Sequence, residues 1–184
     1  MNEEQKILEA LEKLFGALDR SKIDYVVVGG AALAMHLGIL QYFKEGGDID
    51  IVFLNILDKK ARNILCSPKV GFYEKGINIY YPGTPLKLDL MGDAESLDPF
   101  WSGSPVAKET VEFYGIRIKV RPARLLRSDY LRIIRATVKE LGGWKHFERL
   151  TMRSDLGLFL KALTKSNLLS LNKQKLGLVK KRRK

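Results

Sequence analysis

The chain has 184 residues, of which 46% are hydrophobic and 29% are charged, a composition typical of a single globular domain. It contains no run of about 18 apolar residues, so we expect no membrane span and no membrane partner. The single cysteine, Cys66, excludes an internal disulfide and is too few for a zinc site. Because the acidic start of the chain also lacks the basic and apolar regions of a signal peptide, we expect a cytoplasmic protein.

The charge is distributed unevenly along the chain. Residues 1–116 contain 12 Lys/Arg and 17 Asp/Glu, a net charge of −5, whereas residues 117–184 contain 20 Lys/Arg and 4 Asp/Glu, a net charge of +16. This asymmetry predicts a polyanionic partner for the C-terminal part. A basic face that is merely solvated is the alternative.

The first two predicted helices lie on either side of a short strand. Asn2 and Gln5 form a capping-box pattern, and apolar residues then recur at helical spacing up to about Arg20. After a buried strand over residues 25–28 come two glycines and a helix-forming run. This arrangement can bind phosphate, because glycines let backbone N–H groups approach an anion and the helix N-terminus adds a favourable dipole. A tight turn that needs a positive φ would also select glycine.

Residues 48–53 predict a second strand, which carries two carboxylates. On a strand, residues i and i+2 project from the same face, so Asp48 and Asp50 point one way and the apolar residues between them point into a core. Two adjacent carboxylates repel each other, and a hard divalent cation such as Mg²⁺ relieves that repulsion. The alternative is a strand end whose exposed face happens to carry two acids.

A third acid, Asp89, lies in a predicted strand over residues 86–91, on the same face as Lys87. If this strand neighbours the strand of Asp48 and Asp50, three carboxylates converge on one patch. Such a cluster can hold two Mg²⁺ ions about 3.5–4 Å apart, the geometry used for in-line phosphoryl and nucleotidyl transfer.

A long basic helix is predicted from Pro122 onwards, after a helix over residues 58–65, a strand over residues 77–81 and a hairpin over residues 111–120. Its apolar residues fall on one arc, and a cationic stripe falls opposite them. The stripe, which we predict to follow a nucleic-acid backbone, consists of Arg121, Arg124, Arg132, Arg135 and Lys139. The alternative is the solvent face of a core helix. Arg127 lies towards the apolar side, where an arginine needs an anionic partner.

Taken together, these motifs resemble the DNA polymerase β-like nucleotidyltransferase superfamily. The resemblance rests on the glycine pair with its small and apolar helix residues over 29–34, the Asp48-Ile49-Asp50 strand and the later strand with Asp89. It is greatest for small prokaryotic members, the toxin-type enzymes of abortive-infection systems and the aminoglycoside/lincosamide nucleotidyltransferases. It covers roughly residues 23–91 and implies an α+β fold, with a mixed central β-sheet flanked by helices and a helical basic C-terminal region.

The resemblance also implies roles for particular residues. Gly29 and Gly30 would hold the triphosphate of ATP or another NTP, and the aspartates at positions 48, 50 and 89 would be the catalytic residues and the ligands of two Mg²⁺ ions, or of Mn²⁺ in their place. Lys44 stands near the arginine that precedes the first aspartate in relatives, and the usual Ser or Thr is missing there. Arg127 or Arg124 would replace a lysine of the first C-terminal helix.

On this interpretation, residues 1–120 are a catalytic domain, residues 121–165 a helical extension packed on it, and residues 166–184 a flexible basic tail. The expected activity is Mg²⁺-dependent transfer of an NMP from an NTP to a hydroxyl acceptor, with release of pyrophosphate. RNA such as tRNA is favoured as acceptor, because a cationic antibiotic would favour an acidic cleft. The alternatives are an inactive module that binds nucleic acid or a toxin–antitoxin partner, and a small-molecule nucleotidyltransferase.

Overall fold

The computed structural model describes residues 2–54, 58–91 and 107–140, with side chains described at all of these positions except 58 and 133–140. The chain divides into two compact units, Met1–Leu126 and Arg127–Lys184. The first unit contains the sheet. The predicted continuation of helix over residues 144–165 and the basic tail over residues 166–184 lie outside the described residues.

The described elements follow one another as predicted over most of the chain. The helices are α1 (Glu3–Arg20), α2 (Gly29–Leu37), α3 (Gln41–Lys44), α4 (Asp58–Leu65) and α5 (Ala123–Glu140). The strands are β1 (Tyr25–Val28), β2 (Asp48–Phe53), β3 (Tyr73–Lys75), β4 (Asn78–Tyr80), β5 (Lys87–Met91), β6 (Glu109–Phe113) and β7 (Ile116–Val120). No helix in this described part of the chain is both long and apolar enough to cross a membrane.

The strands of the described residues form one mixed sheet of seven in the order β3-β4-β5-β2-β1-β7-β6. The central pairs β2–β5 and β1–β7 are parallel, whereas β1–β2 and the outer pairs are antiparallel. The α+β fold with a mixed central sheet and flanking helices is therefore confirmed. The two edges of the sheet are the hairpins β3–β4 and β6–β7.

Helix α1 begins where the sequence predicts it and buries one face. The Asn2 side chain accepts from the Gln5 backbone at 2.8 Å, and the Gln5 side chain accepts from the Asn2 backbone at 3.0 Å, which completes the capping box. The apolar face is fully buried, and Phe15 stacks on Tyr25 of β1 with 5.6 Å between ring centroids. The core thus lies between this helix and the central strands.

Strands β2 and β5 alternate between buried and half-exposed residues. Ile49, Ile51, Leu88 and Leu90 are buried, and the polar residues between them are half-exposed. Because successive side chains on a strand point to opposite faces, one face of this part of the sheet packs on the core and the other carries polar groups. This polar face positions the candidate site.

Two elements differ from the sequence prediction. The segment over residues 40–47, where the sequence indicates no helix or strand, contains α3, in which Tyr42 and Phe43 are buried and Phe43 packs edge-on against Phe113 of β6. Strand β3 has no buried residue and pairs with β4 through backbone hydrogen bonds, so no hydrophobic pattern marks it in the sequence.

Candidate active site

The three aspartates of the predicted cluster lie on adjacent strands of the sheet. Strand β5 runs parallel to β2, with Asp89 in register with Asp50 and Lys87 in register with Asp48. All three aspartates are half-exposed on the polar face of the sheet. The prediction that the strand of Asp89 neighbours the strand of Asp48 and Asp50 is confirmed, and three carboxylates share one face.

Gly29 brings the start of α2 against this cluster. It follows β1 directly, and the preceding residue, Val28, is in register with Asp50. Gly29 has a φ of +62°, and a Cβ at this position would lie 2.6 Å from Oδ2 of Asp50. Both the backbone conformation and the close carboxylate therefore require glycine here. The N-cap residue of α2, Val28, has no side chain that could cap the first N–H groups of the helix.

Tyr42, which the sequence analysis did not single out, packs against both glycine segments. A Cβ on Gly30 would lie 2.6 Å from the Tyr42 hydroxyl oxygen, and one on Gly47 would lie 2.3 Å from its Cε1. The hydroxyl donates to the backbone carbonyl of Asp48 at 3.1 Å. Tyr42 thereby positions the start of β2 relative to the β1–α2 turn. In the sequence, only the glycine at position 47 indicates that a side chain such as Tyr42 packs closely on the backbone here.

Lys87 is a second residue whose contact the sequence did not reveal. Its ammonium donates to Oδ2 of Asp48 at 3.2 Å, and both side chains are about one-third exposed, at 32% each. The hydrogen bond to Asp48 raises the pKa of Lys87, against the opposing effect of desolvation, and the charges of Asp48 and Asp89 raise it further. Lys87 therefore carries a positive charge at neutral pH. The sequence pattern placed it on the face of Asp89 but gave it no partner.

The donor set has the chemistry that a hard divalent cation requires. Three carboxylates supply oxygen ligands, and the missing side chain at Gly29 leaves room for the Asp50 carboxylate itself. In the arrangement described, Lys87 contacts Asp48, and no group of three or more His, Cys, Asp or Glu side chains among the described residues is drawn together to hold an ion. The carboxylates thus have the chemistry of Mg²⁺ ligands and share a face, and their side chains would have to draw together to hold an ion.

The basic residues that were predicted to bind nucleotide or nucleic acid differ in their burial and in their partners. Lys44 pairs with Glu4 of α1 at 3.0 Å, which raises its pKa. Arg121 is buried, with 1% exposure, and its backbone N–H donates to the carbonyl of Val27 at 2.8 Å, so it does not lie on an exposed stripe as expected. The helix begins two residues later, at Ala123, so Arg121 precedes it and is not part of its cationic face.

The other members of the stripe belong to α5. Arg124 and Arg132 are exposed, in agreement with an outward-facing side of the helix, and Arg127 is half-buried. Arg127 and Arg132 belong to the second unit. The side chains of Arg135 and Lys139 lie outside the described residues, so their predicted role remains a prediction.

Comparison with known proteins supports the fold. No protein-family model and no curated protein matches the chain. Among solved structures, it is similar to an antigenic nucleotidyltransferase-like protein from Paracoccidioides brasiliensis, with a TM-score of 0.52 and 18% identity. The match covers 94% of this chain and 85% of the other. At this identity the likeness shows a nucleotidyltransferase-like fold.

Proposed function

We propose that the protein is a divalent-metal-dependent nucleotidyltransferase that moves an NMP from an NTP to a hydroxyl of an RNA acceptor such as tRNA and releases pyrophosphate. The observation that carries this proposal is the in-register pair of Asp50 and Asp89, with Asp48 on the same face, beside the Gly29 turn of a nucleotidyltransferase-like fold.

Each group of the site has a task in this reaction. The N–H groups at Gly29 and Gly30 and the N-terminus of α2 bind the triphosphate. The aspartates on β2 and β5 would hold two Mg²⁺ ions, or Mn²⁺. When bound, the ions supply charge neutralisation at the phosphates and lower the pKa of the acceptor hydroxyl. The acceptor oxygen then bonds to the α-phosphorus as the bond to pyrophosphate breaks, and the chain contributes by positioning the reactants.

The charge of the chain supports RNA as the acceptor. Residues 117–184 carry 20 Lys/Arg against 4 Asp/Glu, which favours a polyanion over a cationic antibiotic.

The deciding experiment measures metal-dependent incorporation of each labelled NTP into total RNA. We expect Asp48→Ala and Asp89→Asn to lower incorporation by about 10³-fold or more, because metal-mediated charge stabilisation is worth several kcal/mol. Asp19→Asn is the control, since Asp19 is a carboxylate at the end of α1 that pairs with Lys119 instead. Undiminished incorporation by the Asp48→Ala protein would contradict the three-aspartate mechanism.

A second candidate is a non-catalytic nucleic-acid-binding module on the same scaffold. The contact of Lys87 with Asp48 favours it, because an ammonium then neutralises one carboxylate of the cluster without a metal ion. It predicts salt-sensitive RNA binding that persists without Mg²⁺ and in Asp48→Ala, with no transfer. Transfer to a drug or metabolite in the absence of RNA would instead indicate a small-molecule enzyme.

A further inference from the structure

The polar face of the sheet continues from the carboxylates to a pair of tyrosines. Tyr73 is in register with Tyr80, Tyr80 with Lys87, and Lys87 with Asp48. Residues in register on adjacent strands project from the same face, so these four side chains form one row across β3, β4, β5 and β2. The row links the candidate active site to the edge of the sheet.

The two tyrosines present aromatic surface at this edge. Their rings stack with centroids 5.9 Å apart and planes 29° from parallel, and Tyr73 is 46% exposed. Tyr80 is half-exposed. An aromatic ring on an open sheet face offers a stacking surface for a nucleobase, and such stacking tolerates any base because every base has a π-face.

Two lysines accompany the rings, and one of them, Lys87, pairs with Asp48. Lys87 lies between Tyr80 and Asp48 in the row, and Lys75, two residues after Tyr73 on β3, is exposed on the same face. Aromatic rings with cations beside them are the combination by which proteins bind single-stranded nucleic acid, the rings stacking with bases and the cations contacting phosphates.

The strand order places this surface on the side of the carboxylates away from the Gly29 turn. The Gly29 turn, where the triphosphate would bind, follows β1 on one side of β2, whereas Tyr80 and Tyr73 lie on the other side, beyond β5. At about 4.8 Å per strand, the row places Tyr80 about 10 Å and Tyr73 about 14 Å from Asp48. An acceptor whose hydroxyl reaches the carboxylates from this side passes over both rings within a few nucleotides.

We propose that Tyr73 and Tyr80 form a stacking platform for the bases next to the reacting end of a single-stranded RNA acceptor, with Lys87 and Lys75 contacting its phosphates. This inference rests on the proposed function, since it places the acceptor of that reaction. The inference specifies that the acceptor is single-stranded, because a base must be free of its neighbours in a duplex to stack on a tyrosine ring.

Binding is tested separately from chemistry, with a fluorescently labelled unstructured oligoribonucleotide in EDTA. We expect the double variant Tyr73→Leu/Tyr80→Leu to bind about tenfold or more weakly than the wild type, and Tyr73→Phe/Tyr80→Phe to bind within about twofold of it. The dependence of log Kd on log salt should be unchanged in both, because neither removes a charge. Tyr114→Leu, at an exposed tyrosine of the β6–β7 turn on the opposite edge of the sheet, should bind like the wild type.

Three results would overturn the platform. The first is a folded leucine double variant that binds the oligonucleotide like the wild type. The second is a Tyr114→Leu protein that loses as much oligonucleotide binding as the double variant. The third is a double variant that loses the NTP-induced thermal shift but still binds the oligonucleotide. The single variant Tyr73→Leu, at the more exposed position, provides the same comparison if the double variant does not fold. If the wild type transfers no nucleotide but the leucine variant still loses binding, the proposed function fails, and the two tyrosines bind single-stranded RNA without serving an acceptor.

Discussion

At the residue scale, Gly29 shows how closely the backbone and the candidate site constrain each other. Its φ of +62° lies in the left-handed region, and Oδ2 of Asp50 occupies the space that a side chain would need. Gly38, at the other end of the same helix, has a nearly identical φ of +66°, but a Cβ there would meet no atom within 4 Å. Substitutions at the two glycines therefore distinguish the free-energy cost of the left-handed backbone conformation from the effect of displacing the Asp50 carboxylate.

We predict that Gly29→Ala and Gly38→Ala lose a similar backbone contribution of about 1 kcal/mol in the free energy of unfolding. Gly29→Ala must in addition displace the Asp50 carboxylate, so under the proposed function its nucleotidyl transfer should fall by about 10²-fold or more, since misplacement by about 1 Å has effects of that size. Urea unfolding and NTP incorporation measure the two effects. Equal activity of both variants would mean that the position of Asp50 next to Gly29 does not matter for the reaction.

The sequence predicted those site residues whose positions follow from local periodicity. Asp48 and Asp50 share a face because they are two residues apart on a strand, and the glycine pair follows a strand directly. The contact of Lys87 with Asp48 depends on the register between strands 39 residues apart, which no local pattern specifies. The burial of Arg121 likewise depends on where α5 begins and on the bond from its N–H to β1.

At the element scale, the pairing of β2 with β5 fixes the charge balance of the site. It places Lys87 beside Asp48 and Asp89 beside Asp50, so one ammonium faces three carboxylates. Without Lys87, the carboxylates would repel one another, and a divalent cation would relieve more repulsion than it does in the wild type. Under the proposed function, the lysine and the metal ion would therefore compete for Asp48.

This competition predicts that Lys87→Met has a lower Tm than the wild type in EDTA and a larger increase in Tm on addition of Mn²⁺ or Mg²⁺. Lys119→Met is the matched control, because Lys119 pairs with Asp19 at the same 3.2 Å and with similar exposure, 33% against 32% for Lys87. Its Tm increase with metal should equal that of the wild type. A metal-induced increase that is the same in Lys87→Met and in the wild type would show that Lys87 and the ion do not share a site.

The elements that the sequence missed are those that tertiary contacts alone stabilise. Helix α3 is a single turn whose Tyr42 and Phe43 are buried against other segments, among them Phe113 of β6. Strand β3 is exposed at all three positions and extends the sheet only by pairing with β4. The longer elements, such as α1 with its capping box, were predictable because local propensity and the apolar pattern agree.

At the scale of the whole molecule, the sequence separates an acidic from a basic part. Residues 1–116 carry the carboxylates of the candidate site within a net charge of −5, and residues 117–184 carry +16. Under the proposed function, affinity for RNA would come mainly from the basic part, as a salt-dependent term, while stacking on Tyr73 and Tyr80 adds a term that is independent of salt. The two contributions can therefore be separated by titration.

The salt-dependent contribution is tested at residues 180–184, the basic end of the sequence. Replacing the five cations Lys180, Lys181, Arg182, Arg183 and Lys184 by glutamine should weaken oligoribonucleotide binding at low salt. It should also reduce the slope of log Kd against log salt by up to about 3.5, since each phosphate contact to a single strand contributes roughly 0.7. Anisotropy titrations at several salt concentrations measure both quantities.

Lys59→Gln/Lys60→Gln removes two exposed cations from α4 and serves as the control. The slope of log Kd against log salt for this control should match the wild type if the phosphate contacts are made by residues 180–184. It should fall as well if only the net charge of the protein matters. An unchanged slope in the five-glutamine variant would show that these cations do not contact the RNA. Because Tyr73→Leu/Tyr80→Leu should change the affinity without the slope, a variant that combines both sets of substitutions should lose both contributions independently.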